Sequence, residues 1–131
     1  MAELFSDGWM KSFMQQWNAE PELSDALAQI NFNSAIGYGF PEDAQPRGYI
    51  KIENGKAVAA GPYSGEPLNW DLRAGKEQWQ KWMADPPGMM KLGMAFTSGK
   101  LKFKIGDYGG MLKDPRMAGP FIKSFSVMGR A

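Results

Sequence analysis

The sequence predicts an α+β protein, a single sheet with helices gathered on one face. Three observations carry that expectation. Phe5, Trp9, Phe13 and Trp17 recur at steps of four, the spacing of a helical stripe. From Phe32 the apolar period drops to two, the spacing of a strand, and it returns in four later runs. Asn54-Gly55 stands between two such runs, the strongest short-range signal of a hairpin, because a type I′ turn needs positive φ at both central positions.

The first helix spans the stripe from Phe5 to Trp17, with Met10 and Met14 beside it and Lys11, Ser12, Gln15 and Gln16 filling much of the remainder. Pro21 interrupts it, and Leu23, Leu27 and Ile30 mark a shorter second helix. Phe32, Ser34, Ile36, Tyr38 and Phe40 then fall on one side of a strand whose other side, rich in Gly and Ala, admits close backbone approach. Residues 49–53 and 56–60 are the two arms of the hairpin, ended by Gly61-Pro62. Leu68, Trp70 and Leu72 alternate with polar residues as a fourth strand, so the first three or four strands read as an antiparallel meander.

After Gly75, Trp79, Trp82 and Met83 are helically spaced until Asp85-Pro86-Pro87-Gly88 stops them. Met89, Leu92 and Phe96, with Met90 and Met94, mark another helix closed by Ser98-Gly99. In the fifth strand Leu101, Phe103 and Ile105 are expected to face inward and Lys100, Lys102 and Lys104 outward. Asp107 is expected to cap the closing helix, and Asp114-Pro115 also suits an N-cap and first position ahead of Met117, Phe121, Phe125 and Met128. Pro120 either kinks that last helix or begins it.

The chain of 131 residues fits one domain, 1–131, with apolar and charged fractions of 44% and 22% that suit a folded, water-soluble protein. No run reaches the roughly 18 apolar residues of a membrane span, and the first residues lack a signal-peptide pattern, so a cytoplasmic location is expected. The sequence has no Cys and no His. Disulfides, thiolate chemistry, imidazole catalysis and nearly all zinc sites are thereby excluded. Net charge is +1, but residues 1–65 hold 4 basic and 8 acidic side chains, and the other 11 basic residues face only 6 acidic ones in the second half. That asymmetry suits contact with anionic headgroups or an acidic partner. A nucleic-acid platform is disfavoured, since alternation in the fifth strand puts aromatic and basic groups on opposite faces.

The run AFTSGKLKFKIGD (95–107), with NWDLRA (69–74) and EQWQKWMADPPG (77–88) ahead of it, resembles the sterol carrier protein 2 family of lipid-binding domains. The resemblance covers nearly the whole chain and is most specific over about a dozen residues. It implies a five-stranded, mainly antiparallel sheet with helices on one face, enclosing a hydrophobic tunnel for sterols, fatty acids, acyl-CoAs or similar lipids, and no catalytic residues. Phe103-Lys104-Ile105 is about one residue longer than that family's pattern, which leaves the phase of the following helix open. The C-terminal residues Met128-Gly-Arg-Ala131 do not match the peroxisomal address of many members.

The apolar residues themselves point the same way. The chain holds 10 Met and 17 aromatic residues, and six of the methionines lie at or beyond position 89, where unbranched, polarizable side chains suit an adaptable pocket wall better than a rigid core. The expected lipid-contacting residues are Trp82, Met83, Met90, Met94, Phe103, Ile105, Met111, Leu112, Phe121 and Phe125; Trp79 fits the core or the pocket mouth. The expected function is non-catalytic binding and carriage of one long-chain apolar lipid, without cofactor or metal. The expected partners are that lipid (fatty acid, acyl-CoA, sterol or phospholipid) and a transient anionic-membrane contact, with no nucleic acid. The alternative is an accessory protein that presents lipid, or a hydrophobic surface, to a separate lipid-metabolising enzyme. It calls for a homodimer or an enzyme partner and offers the apolar face of residues 5–17 as the contact surface.

Overall fold

A computed structural model describes residues 3–131, with Leu112 described in its backbone only. The element order is α1 (Asp7–Ala19), α2 (Pro21–Ala28), β1 (Ser34–Gly39), β2 (Gly48–Glu53), β3 (Lys56–Pro62), β4 (Trp70–Arg73), α3 (Lys76–Ala84), α4 (Met89–Thr97), β5 (Lys102–Ile105), α5 (Tyr108–Lys113) and α6 (Pro115–Met128). The five strands form one sheet in the order β3-β2-β1-β4-β5, mostly antiparallel, with the helices on one face. The α+β class and the five strands are as the sequence predicts. The meander stops at β3, however: β4 crosses over and pairs parallel with β1.

Local chemistry accounts for the element ends. Ser6 caps α1 through its hydroxyl, and Asp107 and Asp114 cap α5 and α6 by accepting the amides of Gly109 and Arg116. Asn54 and Gly55 have φ of 50° and 83°, the left-handed pair that a type I′ turn requires. Asp107 therefore caps a separate short helix, and α6 runs from Pro115 through Pro120, which neither begins nor ends it.

Helix α1 lies on the sheet by its aromatic stripe. Phe5, Trp9, Met10, Phe13 and Trp17 are all buried, so the face of residues 5–17 is core and offers no contact surface to a partner. Two side chains of this helix also bond to the hairpin. The Trp17 indole donates to the Gly55 carbonyl at 3.0 Å, and the Asn18 amide both accepts from and donates to the Ala57 backbone at 2.8 and 2.9 Å. Phe5 precedes the helix with φ 65°, a strained backbone for a bulky residue, and is held there between Trp9, Tyr38, Phe40 and Trp79.

On the opposite face of the sheet, loops cover β1 and β4 and leave Lys51 and Glu53 of β2 exposed. A side chain at Gly37 would run into Pro46 and Leu68, so the small residues of β1 do allow close approach. Leu68 thus packs outside the sheet, ahead of β4, and does not share the inner face with Trp70 and Leu72. On this outer side Arg73 is buried against Asp71, with Nε–Oδ1 at 2.6 Å and Nη2–Oδ2 at 3.0 Å, and its Nη1 donates to the carbonyls of Phe40 and Asp43.

Strand β5 corrects one expectation. Leu72 pairs with Phe103, but the next residue of β4, Asp71, pairs with Ile105, so Lys104 is an extra residue accommodated as a bulge. Ile105 is thereby turned from the side of Phe103 to that of Asp71 and is 43% exposed.

Candidate functional site

A small apolar cavity lies between the inner face of the sheet and the helices. Its floor is a square of four side chains set by the parallel register, in which Ile36 of β1 stands opposite Trp70 of β4, and Tyr38 opposite Leu72. Trp17 of α1, Leu23 and Leu27 of α2, and Phe32 form one side. The roof is Met111 of α5 together with Met117, Pro120, Phe121 and Ser124 of α6, positions 3, 4 and 7 residues apart that make one stripe of the helix.

The polar atoms in this lining have partners within the protein or are masked by burial. The Trp70 indole donates to Ser34 Oγ at 3.2 Å, and the Ser124 hydroxyl donates to the Phe121 carbonyl at 2.5 Å. Burial pushes the Tyr38 phenol far above its ordinary value, so it stays neutral. No charged side chain lines the cavity among the described residues. Such a site recognises a ligand by shape and hydrophobicity alone, since it offers no charge and few free hydrogen bonds.

The cavity measures about 40 Å³. A long-chain lipid needs several times that volume, since small-molecule sites run to roughly 300–1,000 Å³. Its two walls differ in stiffness. The floor is hydrogen-bonded sheet, whereas the roof is a six-residue helix with Gly109 and Gly110 in its first turns, followed by a helix in which Pro120 cannot donate a backbone bond. Met111 and Met117 add unbranched side chains that repack at low cost.

Of the residues expected to contact lipid, Met111 and Phe121 line this cavity. Phe103 lies beside it, its ring 6.1 Å from those of both Trp70 and Phe121. Phe125 and Trp82 are buried one layer away in an aromatic cluster with Trp79, whose indole donates to the Gly39 carbonyl, and Met83 packs against the core. Met90 and Met94 are exposed on α4, and Ile105 is turned outward by the bulge. The Leu112 side chain lies outside the described residues. The floor and side residues Trp17, Leu23, Leu27, Phe32, Ile36, Tyr38, Trp70 and Leu72 had a signal in the sequence, their shared helix or strand face, but that signal reads equally as solid core.

Among the described residues no helix is long and apolar enough to cross a membrane. No protein-family model matches the sequence, and no curated protein does. Solved structures do resemble the fold. A crystal structure of sterol carrier protein 2 aligns with 98% of this chain and 99% of its own at TM-score 0.77 and 16% identity. A UbiJ-SCP2 ubiquinone synthesis protein aligns over 92% of this chain and 88% of its own, at TM-score 0.61 and 11% identity. Sterol carrier protein 2 from Yarrowia lipolytica aligns over 92% and 89%, at TM-score 0.53 and 13% identity. The chain has the sterol carrier protein 2 fold.

Proposed function

We propose, taking that fold as premise, that the protein binds one long-chain apolar lipid between its sheet and helices α5 and α6, and carries it without chemical change. The observation that carries this reading is the wholly uncharged, apolar lining between the sheet and helices α5 and α6. Apolar ligand surface buried there contributes roughly 25 cal/mol per Å², so affinity follows chain length and headgroup chemistry matters little. The chain lacks His and Cys, and the cavity's Ser124 hydroxyl has no adjacent base, which supports carriage over catalysis. The names of the neighbours, two sterol carrier proteins and a ubiquinone synthesis protein, support a lipid as the class of ligand.

The test is uptake of a fluorescent fatty acid, together with native mass spectrometry and solvent extraction of the purified protein. We expect near one-to-one uptake by the wild type and loss of uptake in Met111→Asp and Phe121→Asp, with Met94→Asp, on the exposed face of α4, as the unaffected control. Retained uptake in a folded Phe121→Asp protein refutes this placement. A protein that takes up no fatty acid and yields no lipid on extraction refutes the reading itself.

A further inference from the structure

Between Asp85 and Asp107 the chain carries Lys91, Lys100, Lys102 and Lys104 and no acidic residue. This stretch builds α4 and β5. On α4, Met90 and Met94 lie one turn apart and are 80% and 66% exposed, with Met89 half exposed beside them. Single exposed apolar residues are ordinary, but three on one nine-residue helix, with Phe96 also partly exposed, form a surface of the kind that marks an interaction site. Two of these cations share that surface: Lys91 and Lys100 line one open groove with Met94 and Trp82, about 310 Å³ in volume. Lys91 Nζ lies 3.7 Å from the Asp85 carboxylate, with both groups largely exposed, a contact that solvent readily replaces.

We propose that this surface of α4 and the turn that follows it docks the protein on anionic lipid bilayers, with Met90 and Met94 entering the boundary between headgroups and acyl chains while Lys91 and Lys100 meet lipid phosphates. Charge complementarity selects the occupant. Both cations are lysines, point charges on flexible stems that suit a fluid layer of phosphates, whereas a carboxylate-bearing protein surface is better read by the fixed fork of arginine. The methionines fit the same occupant, because flexible side chains enter a disordered acyl boundary without a matching pocket.

The surface is also continuous with the cavity. Phe96 stacks on Tyr108 at 4.3 Å, and Phe103 touches Phe96 on one side and the cavity residue Phe121 on the other. Docking therefore rests on the lipid-carriage reading for its purpose, since it would bring the compliant wall close to the source of the ligand, but not for its physics.

The test is co-sedimentation of the intact protein with vesicles of phosphatidylcholine alone and of phosphatidylcholine with phosphatidylglycerol, at low and high salt. We expect binding to the anionic vesicles that is on the order of tenfold or more stronger than to neutral ones and that falls as salt rises. Met90→Ser with Met94→Ser should weaken it by about tenfold or more, and Lys91→Ala with Lys100→Ala by roughly fivefold per lysine. Equal binding to neutral vesicles, binding to neither, or variants that sediment like the wild type would each overturn the proposal. Both variants should still take up fluorescent fatty acid from solution, whereas Phe121→Asp should lose uptake and still sediment. A wild type that docks but takes up no fatty acid refutes lipid carriage and leaves docking standing.

Discussion

Arg73 and Asp71, two residues apart on β4, form a two-pronged ion pair sealed beneath the loop between β1 and β2, with the Arg73 side chain only 1% exposed. The remaining guanidinium nitrogen holds the Phe40 and Asp43 carbonyls, so a single side chain fastens the start of that loop to the sheet. Arg73→Ala leaves a buried carboxylate without its partner, and we expect a loss of about 3–5 kcal/mol in urea denaturation. Replacing both members, Asp71→Leu with Arg73→Met, should cost much less. If the double variant is as unstable as the single one, the loop contacts matter more than the charge.

Gly106 has φ 101°, and a Cβ there would overlap the Trp70 ring in the cavity floor. Gly106→Ala should therefore cost about 1–3 kcal/mol in backbone strain alone, and it should also shift Trp70. Denaturation together with a change in fatty-acid uptake would report both effects. Unchanged stability would mean that the turn before α5 relaxes freely.

Ser124 is the hydroxyl nearest to a chemical temptation in the cavity roof, but it donates to the carbonyl of Phe121 in its own helix. Ser124→Ala removes a local bond and leaves no buried donor behind. We expect a change within about 1 kcal/mol and unaltered fatty-acid uptake. Any lipid turnover by the wild type that vanishes in this variant would contradict carriage without chemistry.

Glu20, at the junction of α1 and α2, accepts a hydrogen bond from Arg130 at 2.8 Å, with Lys123 at 3.8 Å. The Arg130 bond first, then the Glu22 amide, hold its carboxyl below the ordinary value of 4.5. A carboxyl lowered on folding stabilises the native state above the unfolded pKa, and that benefit fades as pH falls through the folded one. Glu20→Gln should therefore lower the melting temperature near neutrality, and the gap from wild type should close as the solution is acidified below about 4.5. A gap that stays constant with pH would assign the effect to capping of α2 rather than to charge.

The fold was legible wherever period and punctuation agreed. The stripe from Phe5 to Trp17, the Asn54-Gly55 turn and the caps at Asp107 and Asp114 each involve residues close in sequence. What stayed hidden depends on distant partners. Nothing local says that β4 pairs with β1, so the square of Ile36, Trp70, Tyr38 and Leu72 could not be foreseen as a cavity floor. The bulge at Lys104 is equally nonlocal, because alternation along β5 gives no sign that its partner strand is one residue short. Met90 and Met94 fit the helical spacing of α4 as expected, yet spacing alone does not say which face of a helix meets the core.

Helix α6 is anchored unevenly. Its C-terminal half is buried through Phe125, Val127 and Met128 and tied to Glu20, while its first turn begins at a solvent-facing aspartate–arginine pair before Ala118 and Pro120 enter the core. Under the proposed lipid carriage, the helix would pivot as a lever about its C-terminal end. At 14 residues it is about 21 Å long, so a swing of about 10° lifts the N-terminal end by about 4 Å and barely disturbs the C-terminal one. If the proposed lipid is carried there, a thicker or longer guest would read out as a larger angle at the α5 end, and selectivity would be graded by how far the helix must travel.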